Sequence, residues 1–585
     1  MILQSLAAFS QREGLVEDPL FSYVGVSWAI DLGPNGEFWE LIDLRTDSTG
    51  KGPKKKQACQ MLIPKRPIRP GQQTIPAFLV DNAEYVLGLG EQEEQRQRRA
   101  TRRARFADTI QAAADATKDP IAAATLKFLR DDSAVEQAST EMQAKKYASQ
   151  ELICFRHDGD FLHDSETLKD YWRAQQTGRP RTNATQCLVC GNKASIARLH
   201  TPIKSIPGAS TAGVPLVSFN QSAFCSYGWE QSDNAPVCEN CVSAYSTALN
   251  RCLSSQFPNP RDPESVLLRQ AHNLGENLCA VFWSDDSKSA IEETVNSAFR
   301  NPQVVKALLE TPYHRSTPTG ARLRFHCLLL QGAQGRATVR SYVSEPIAEI
   351  QSHLRQWFAE TDVGLDRSFS IYRILSSLAV KNELNKLPPN LAGDLYIAIL
   401  FHRRIPYAAC QLAVTRNRVL AAVTAERAAL IQAWLTRDQK SSERNNYVKL
   451  DEDNPSIGYQ LGRLLAVCES VQVRRSRERG QQLNKTLVDR YFPAMSTRPA
   501  LVLGALIRLT KQIESQISKP FFFEAAIADI FTRVTPDIPM TLDLIQQANF
   551  ALGYYHQKSF NRSAYKENAP QTNDEADPTD EKETN

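Results

Sequence analysis

The chain has 585 residues, 42% hydrophobic and 23% charged, with a formal net charge of +4. Those proportions exclude a disordered or fibrous chain and imply a globular protein with two or three cores. No apolar run approaches the roughly 18–20 residues that cross a bilayer, and "MILQSLAAFSQREGL" lacks the basic and apolar regions of a signal peptide, so a cytoplasmic location is expected.

Residues 15–90 read as short strands and loops. "YVGVSWAIDL", "FWELIDL" and "QACQMLIP" are rich in β-branched and aromatic residues and are parted by the turn signals "GPNG" and "STGKGP". From Glu91 to about Leu129 the pattern is helical, with no glycine and a proline only at Pro120. "LICFRHDGDFLHDS" predicts a hairpin turning at Asp158-Gly159. A cysteine-rich region follows, then the apolar strand "LCAVFWSDD", a strand pair over 321–345 and a helix opening "PIAEIQSHLRQWF". Beyond about residue 366 the segments carry apolar residues at i, i+3 and i+4, among them "FSIYRILSSLAVK", "TAERAALIQAWLTR" and "RPALVLGALIRLTKQIESQI".

The expected fold class is therefore α+β: a mixed α/β N-terminal part over 1–365, with an inserted zinc-knuckle loop region at 185–255, then an all-α helical bundle over 366–565. The tail, 566–585, is acidic and poor in apolar residues, and is expected to be disordered.

Positive charge is concentrated in blocks. Residues 51–69 hold seven basic residues and no acidic one, and 91–106 hold six arginines. From Arg463 to Lys511 there are ten basic residues against three acidic ones. One such block is as readily a solvated helix face as a binding surface, but three together point to a polyanion such as nucleic acid.

The strongest chemical signal is the pair Cys187-x2-Cys190 and Cys238-x2-Cys241. Thiols in a reducing compartment stay reduced, so close pairs read as metal or redox groups. Two such knuckles form an S4 cage suited to Zn²⁺, and four thiolates leave no position for an activated water, so the site is structural. The alternative is four thiols with no shared function. His200 is available as a substitute ligand, although a packing role is the simpler reading.

The 47 residues between the pairs include Ser218, Asn220, Gln221, Ser226, Gln231 and Asn234, with Phe219, Phe224, Tyr227 and Trp229 and the permissive Gly228. Amides and hydroxyls read base edges, and flat rings wedge beside base pairs. A surface loop satisfied by its own turns is the competing reading.

No catalytic constellation is visible. His157, Asp158, His163 and Asp164 are explained by the hairpin turn, and Asp285 and Asp286 lack partners at telling spacing. Phosphate-loop, dinucleotide and nucleophile-elbow motifs are missing.

"MILQSLAAF", "FLVDNAEYVLG" (78–88) and above all "IARLHTPIKSIPGASTAGVPLVSFNQSAFCSYGWEQSDNAPVCENCVSAYSTALN" resemble the large subunit of the type I-C CRISPR surveillance complex, Cascade. "GRLLAVCESVQ" and "LNKTLVDRYFPAMSTRPALVLGALIRLTKQ" resemble the helical C-terminal part of the same family. The chain departs from the family at Cys225, commonly Glu, and at Trp229, commonly polar. Many members also lack some of the four cysteines, which makes zinc a feature of this branch.

The resemblance implies a non-enzymatic subunit of a complex that carries CRISPR RNA. Its partners are backbone subunits, a subunit gripping the RNA 5′ end, small subunits and a helicase-nuclease. It implies recognition of the protospacer-adjacent motif in double-stranded DNA, through the minor groove, and support of the displaced strand. No membrane is involved. In that light Ser218, Asn220, Ser226, Tyr227, Gly228, Gln231 and Asn234 are expected to read the motif, with Phe219 as a wedge and Lys204 on phosphate. Arg98, Arg99, Arg102, Arg103 and Arg105 are expected on duplex phosphates, and Arg474, Arg475, Arg477, Arg479 and Lys485 along the displaced strand. The competing readings are a metal-dependent nuclease acting on foreign DNA, which would depend on Asp158 or Asp285, and a purely structural assembly factor.

Overall fold

A computed structural model describes residues 2–567 except 16–17, 19, 48–55, 68, 70–73, 91–95, 146, 178–183, 256, 260–261, 287–289, 302–322, 366–367, 389, 438–448, 484, 519 and 535–537. The expectation for the acidic tail from 568 onward lies outside the described residues. Two compact units interleave along the chain. One comprises Met1–Ala271, Val281–Ser287 and Cys327–Tyr342, and the other His272–Ala280, Lys288–His326 and Val343–Asn585.

The first unit opens with α1 (Ile2–Arg12). The run 23–32 then divides at Ser27 into β1 (Phe21–Val26) and β2 (Trp28–Leu32). Ser27 is buried, and its N–H donates to Leu152 O while its carbonyl accepts from Leu44 N. These bonds satisfy its backbone where the chain passes from one sheet to another. After β3 (Phe38–Asp43) come the short pair β4 (Thr46–Asp47) and β5 (Lys56–Gln57), then β6 (Cys59–Pro64), which lies antiparallel to β1 with Phe21 opposite Pro64.

The main sheet has the order β3-β2-β8-β7, where β7 is Asp81–Asn82 and β8 is Leu152–His157. β2 and β8 run parallel. Every residue of β2 is buried, as expected of a strand covered on both faces. The expected hairpin forms: β9 (Asp160–Phe161) pairs with β8, and the turn holds Asp158 and Gly159 at φ 50° and 89°.

Helix α2 (Ala83–Val86) precedes α3 (Arg96–Thr117), α4 (Pro120–Arg130) and α5 (Asp132–Ala144). The helical stretch expected from Glu91 to Leu129 breaks at Lys118, φ 56°, because Pro120 cannot continue a helix and instead starts the next one. Asp119 caps that start by accepting from Ala122 N at 3.0 Å. Phe106, Ile110, Phe128, Val135 and Met142 on these helices share a core with Trp28, Ile30, Ile153 and Phe155 of the sheet.

After α6 (Glu166–Thr177), the hairpin β10 (Ala184–Gln186) and β11 (Lys193–Ser195) leads into an irregular segment that ends at α7 (Glu239–Leu253). Strands β12 (Phe257–Asn259) and β13 (Asp262–Leu267) follow as a pair. A four-stranded sheet is built in sequence order from β14 (Ala271–Asn273), β15 (Leu278–Ser284), β16 (Arg324–Ala333) and β17 (Arg336–Pro346).

The second unit is helical. It contains α8 (Ile291–Arg300), α9 (Ile347–Glu360), α10 (Ile371–Leu378), α11 (Leu391–Leu400), α12 (Tyr407–Leu420), α13 (Ala425–Arg437), α14 (Ile457–Glu478), α15 (Leu487–Met495), α16 (Pro499–Glu514), α17 (Phe521–Val534) and α18 (Leu544–Glu567). Its centre is the close crossing of α14 and α18. A β-carbon added at Gly458, Gly462 or Gly553 would lie 2.2, 2.1 or 2.0 Å from a carbonyl oxygen of the facing helix. Only glycine permits that approach. Buried Arg463 donates to Gln557 Oε1, Gln460 Oε1 and Glu452 O, and the Tyr554 hydroxyl donates to Glu469.

Candidate nucleic-acid interface and four-cysteine cluster

The two cysteine pairs meet. Cys187 N donates to Asn192 O and Gly191 N to Cys187 O, closing a knuckle in which Gly191 takes φ 79°. The β10–β11 hairpin holds the two ends of that knuckle together. Cys238 is the N-cap of α7 and Cys241 lies in its first turn, so both thiols sit where unpaired helix N–H groups favour negative charge. Leu188 N donates to Pro236 O and Ala197 N to Val237 O, which fastens the knuckle to the helix start.

All four Sγ atoms lie within 4.8 Å of one another, and Cys190 and Cys238 are 3.9 Å apart. A tetrahedral zinc site with Zn–S bonds of about 2.3 Å has edges of about 3.8 Å. The donor set thus fits a thiolate-bound divalent cation. Burial would raise the Cys187 thiol, but the N–H groups of Cys238, Cys190 and Val189 outweigh it and hold the pKa at about 7. Burial and neighbouring thiols push Cys238 and Cys241 up, which is the environment a bound cation would reverse. Among the described residues, no other three His, Cys, Asp or Glu side chains converge closely enough to share an ion.

His200 stands outside the cluster. It is buried against Tyr245, whose hydroxyl lies 2.6 Å from Nδ1, and burial, then the Lys65 charge, lower its pKa to about 4. It is a packing histidine.

The segment between the pairs is organised rather than loose. Ile203 and Val214 exchange two backbone bonds, and Lys204 N donates to Asn250 Oδ1 on α7. The tip of the β16–β17 hairpin supports it from outside. Ser210 N donates to Gln334 O, Gly332 lies where a β-carbon would stand 2.2 Å from Pro207 O, and Arg336 lies over the Phe224 ring at 4.8 Å.

Within the loop, Ser218 and Asn220 are exposed and Phe219 is half-buried. Asn234 faces inward: Oδ1 accepts from Ser226 N at 2.8 Å, while Nδ2 donates to Trp229 O and Gln231 O. Gln231 Oε1 accepts from Arg198 Nη1 at 3.0 Å. These bonds hold a tight turn in which Tyr227, Gly228 and Gln231 take φ 56°, 74° and 46°. The turn leaves Tyr227 94% exposed and Trp229 52% exposed. Cys225 is half-buried, its thiol pointing to Gln221 O.

Lys204 is solvent-exposed. Crowding by surrounding protein, then the Arg66 charge, lower its pKa, so an anion placed there would relieve unfavourable charge. Lys65 and Arg66 are shifted down by burial in the same way.

Four arginines of α3 hold internal partners. Arg99 is buried and donates to Gly88 O, and Arg102 pairs with Glu84 and lies over Tyr85. Arg103 donates to Leu129 O and Asp132, and Arg105 to Thr74. Arg98 is half-buried on the same helix. At the end of α14, Arg474 pairs with Glu478, and Arg479 donates to Gln516. Arg475 is half-buried, whereas Arg477 and Lys485 are exposed.

Neither acidic cluster noted in the sequence forms a metal site. His157 Nδ1 contacts Leu32 O, His163 is buried with its pKa lowered by burial, and Asp285 faces Arg12 at 4.0 Å. The spacing rules miss Arg198 and Arg336, which support the loop from elements outside it. Their isolated positive charge offers no sequence signal.

No described helix is long and apolar enough to cross a membrane. The family described as CRISPR-associated protein (Cas_Csd1) matches residues 4–560. No curated protein matches the chain.

Proposed function

The chain belongs to the family of CRISPR-associated Csd1 proteins, large subunits of type I-C Cascade, and on that premise we propose that it recognises the protospacer-adjacent motif in double-stranded DNA. It then helps open the duplex, supports the displaced strand and docks the helicase-nuclease, without catalysing a reaction itself. It acts in the cytoplasm with backbone subunits, the subunit gripping the RNA 5′ end and small subunits.

One observation carries the reading: the loop between the cysteine pairs is braced from within by Asn234 and from outside by the β16–β17 hairpin, while Ser218 and Asn220 remain exposed. Ser218, Asn220, Tyr227 and Gly228 are exposed on a backbone held by Asn234, by the cysteine cluster and by the β16–β17 hairpin. A reader of base edges needs that rigidity, because a floppy loop loses in ordering entropy what each hydrogen bond provides. Zn²⁺ is the ion the four thiolates suit. Bound there, it would be held by Cys187, Cys190, Cys238 and Cys241 and would supply a structural junction rather than a reactive centre.

Lys204, whose charge is disfavoured by its surroundings and by Arg66, takes a backbone phosphate, and Phe219 flanks the motif as a wedge. Asn234 and Gln231 shape the loop and approach DNA at its base. The minor groove offers a degenerate pattern, consistent with a short motif read loosely. Arg98, Arg99, Arg102, Arg103 and Arg105 hold duplex phosphates only by exchanging internal partners. Arg474, Arg475, Arg477, Arg479 and Lys485 form the more accessible track for the displaced strand.

The test is duplex binding by the reconstituted complex with the flanking motif varied. Asn220→Ala is expected to reduce discrimination between motifs by about 1–3 kcal/mol. Unchanged affinity and discrimination would identify the chain as an assembly subunit instead.

A further inference from the structure

Tyr227 and Trp229 are the two most exposed rings of the loop, and their arrangement is specific. Their centroids are 6.1 Å apart and their planes meet at 56°, so the rings form an open corner rather than a stacked pair. Tyr227 is 94% exposed, which leaves both ring faces bare. Burying an apolar ring is the default for a folded chain, yet here the backbone takes a left-handed conformation at Tyr227 that holds the ring out. The three bonds of Asn234 close the turn beneath it.

The charges around the corner limit what it can receive. Glu230, which follows Trp229 directly in the chain, and Asp233 are both exposed. Two carboxylates repel a phosphate, so the corner does not grip a nucleic-acid backbone. Arg198 and Arg336 are directed at Gln231 and Phe224. What remains is a flat, uncharged partner with a polar edge. A nucleobase out of its stack has that form: one ring lies on its face, the second meets its edge, and the loop's hydroxyls and backbone satisfy its polar atoms.

A paired base is shielded on both faces by its neighbours, so the corner selects a base already separated from the helix. We propose that Tyr227 and Trp229 form a receptor for a single unpaired nucleobase at the DNA step next to the recognised motif. This rests on the reading of the loop as the motif-recognition element. It adds that the loop tip captures one base as the duplex parts.

The full complex, assembled with wild-type chain or with Tyr227→Ala, Trp229→Ala or Tyr227→Phe, is titrated with two duplexes that carry the same motif. One is fully paired, and the other has a single mismatched pair next to the motif, with 2-aminopurine in the mismatch. Wild type is expected to bind the mismatched duplex more tightly and to change the 2-aminopurine emission as the base stacks on Tyr227. Tyr227→Ala is expected to lose about tenfold in affinity for that duplex and to abolish the emission change. Tyr227→Phe, which keeps the ring, retains both.

If Tyr227→Ala and Trp229→Ala bind both duplexes as wild type does, the base receptor is wrong, while motif discrimination that is still sensitive to Asn220→Ala leaves the reading of the loop intact. If the aromatic variants instead fail to assemble with the other subunits, the corner is a protein-docking surface and the proposal is overturned.

Discussion

The side-chain oxygen of Asn234 accepts the backbone N–H of Ser226 at 2.8 Å, joining two residues eight apart across the loop tip. The same amide donates to Trp229 O and Gln231 O, so one side chain closes the turn from both directions. Asn234→Ala removes three hydrogen bonds from an exposed loop, each worth about 0.5–1.5 kcal/mol. Hydrogen exchange across 226–234 is expected to accelerate while the global unfolding midpoint barely moves. Unchanged exchange there would mean the brace is not what orders the tip.

Metal content provides the second prediction. Purified protein is expected to hold one zinc per chain, and Cys187→Ser or strong chelation to release it. The loss should free the start of α7 and the loop together, because Leu188, Ala197 and Cys238 are tied across the cluster. Motif-specific duplex affinity then drops, whereas binding to nonspecific DNA persists. Metal analysis that finds no zinc would remove the cluster as the loop's anchor.

At the helix crossing of the second unit, a β-carbon on Gly462 would stand 2.1 Å from Phe550 O. Alanine has the higher helix propensity, by about 1 kcal/mol, but here the helices must separate to admit it. Gly462→Ala is expected to destabilise the protein by about 1–3 kcal/mol in chemical denaturation. Gly504→Ala, at an open site on α16, serves as the contrast and should be neutral or stabilising.

His556 supplies a pH signature. Burial lowers its pKa to about 4, and its Nδ1 lies 2.9 Å from the Tyr459 hydroxyl. The unfolded chain therefore takes up a proton near pH 6.5, while the folded chain resists until about pH 4. This contribution to stability is complete above pH 6.5 and is lost as pH falls, at about 1.4 kcal/mol per pH unit down to about pH 4. His556→Gln, which does not titrate there, should flatten the acid limb of stability against pH by one proton. An unchanged slope would place the linkage elsewhere.

Charge at the end of α14 is testable through salt. Arg477→Ala and Lys485→Ala remove exposed cations, and for every phosphate no longer neutralised the salt slope for single-stranded DNA should fall by about 0.7. A slope equal to wild type would exclude these residues from the strand path.

Much of the architecture is legible because it is periodic. The expected hairpin at Asp158-Gly159 needs two left-handed residues, which those residue types supply. The helices after residue 366 announce themselves by apolar spacing, and the boundary at Asp119-Pro120 by a cap and a proline. Helices α5 and α6 escape such reading, since "DSAVEQASTEMQA" and "ETLKDYWRAQQT" are largely polar and owe their stability to packing on distant elements, α5 on β3 and α6 on α3. So does the division of 23–32 between two sheets, which depends on the bond from Ser27 to Leu152.

From the sequence alone came the pairing of four cysteines, the composition of the loop between them and the alternation of strand and helix, because residue type and spacing carry that information locally. Tertiary structure alone decided which of those groups face outward. It turned Asn234 inward, gave four arginines of α3 internal partners, propped Phe224 against Arg336 and left Tyr227 bare. Side-chain direction follows from packing between residues far apart in the chain, and no local pattern encodes that packing.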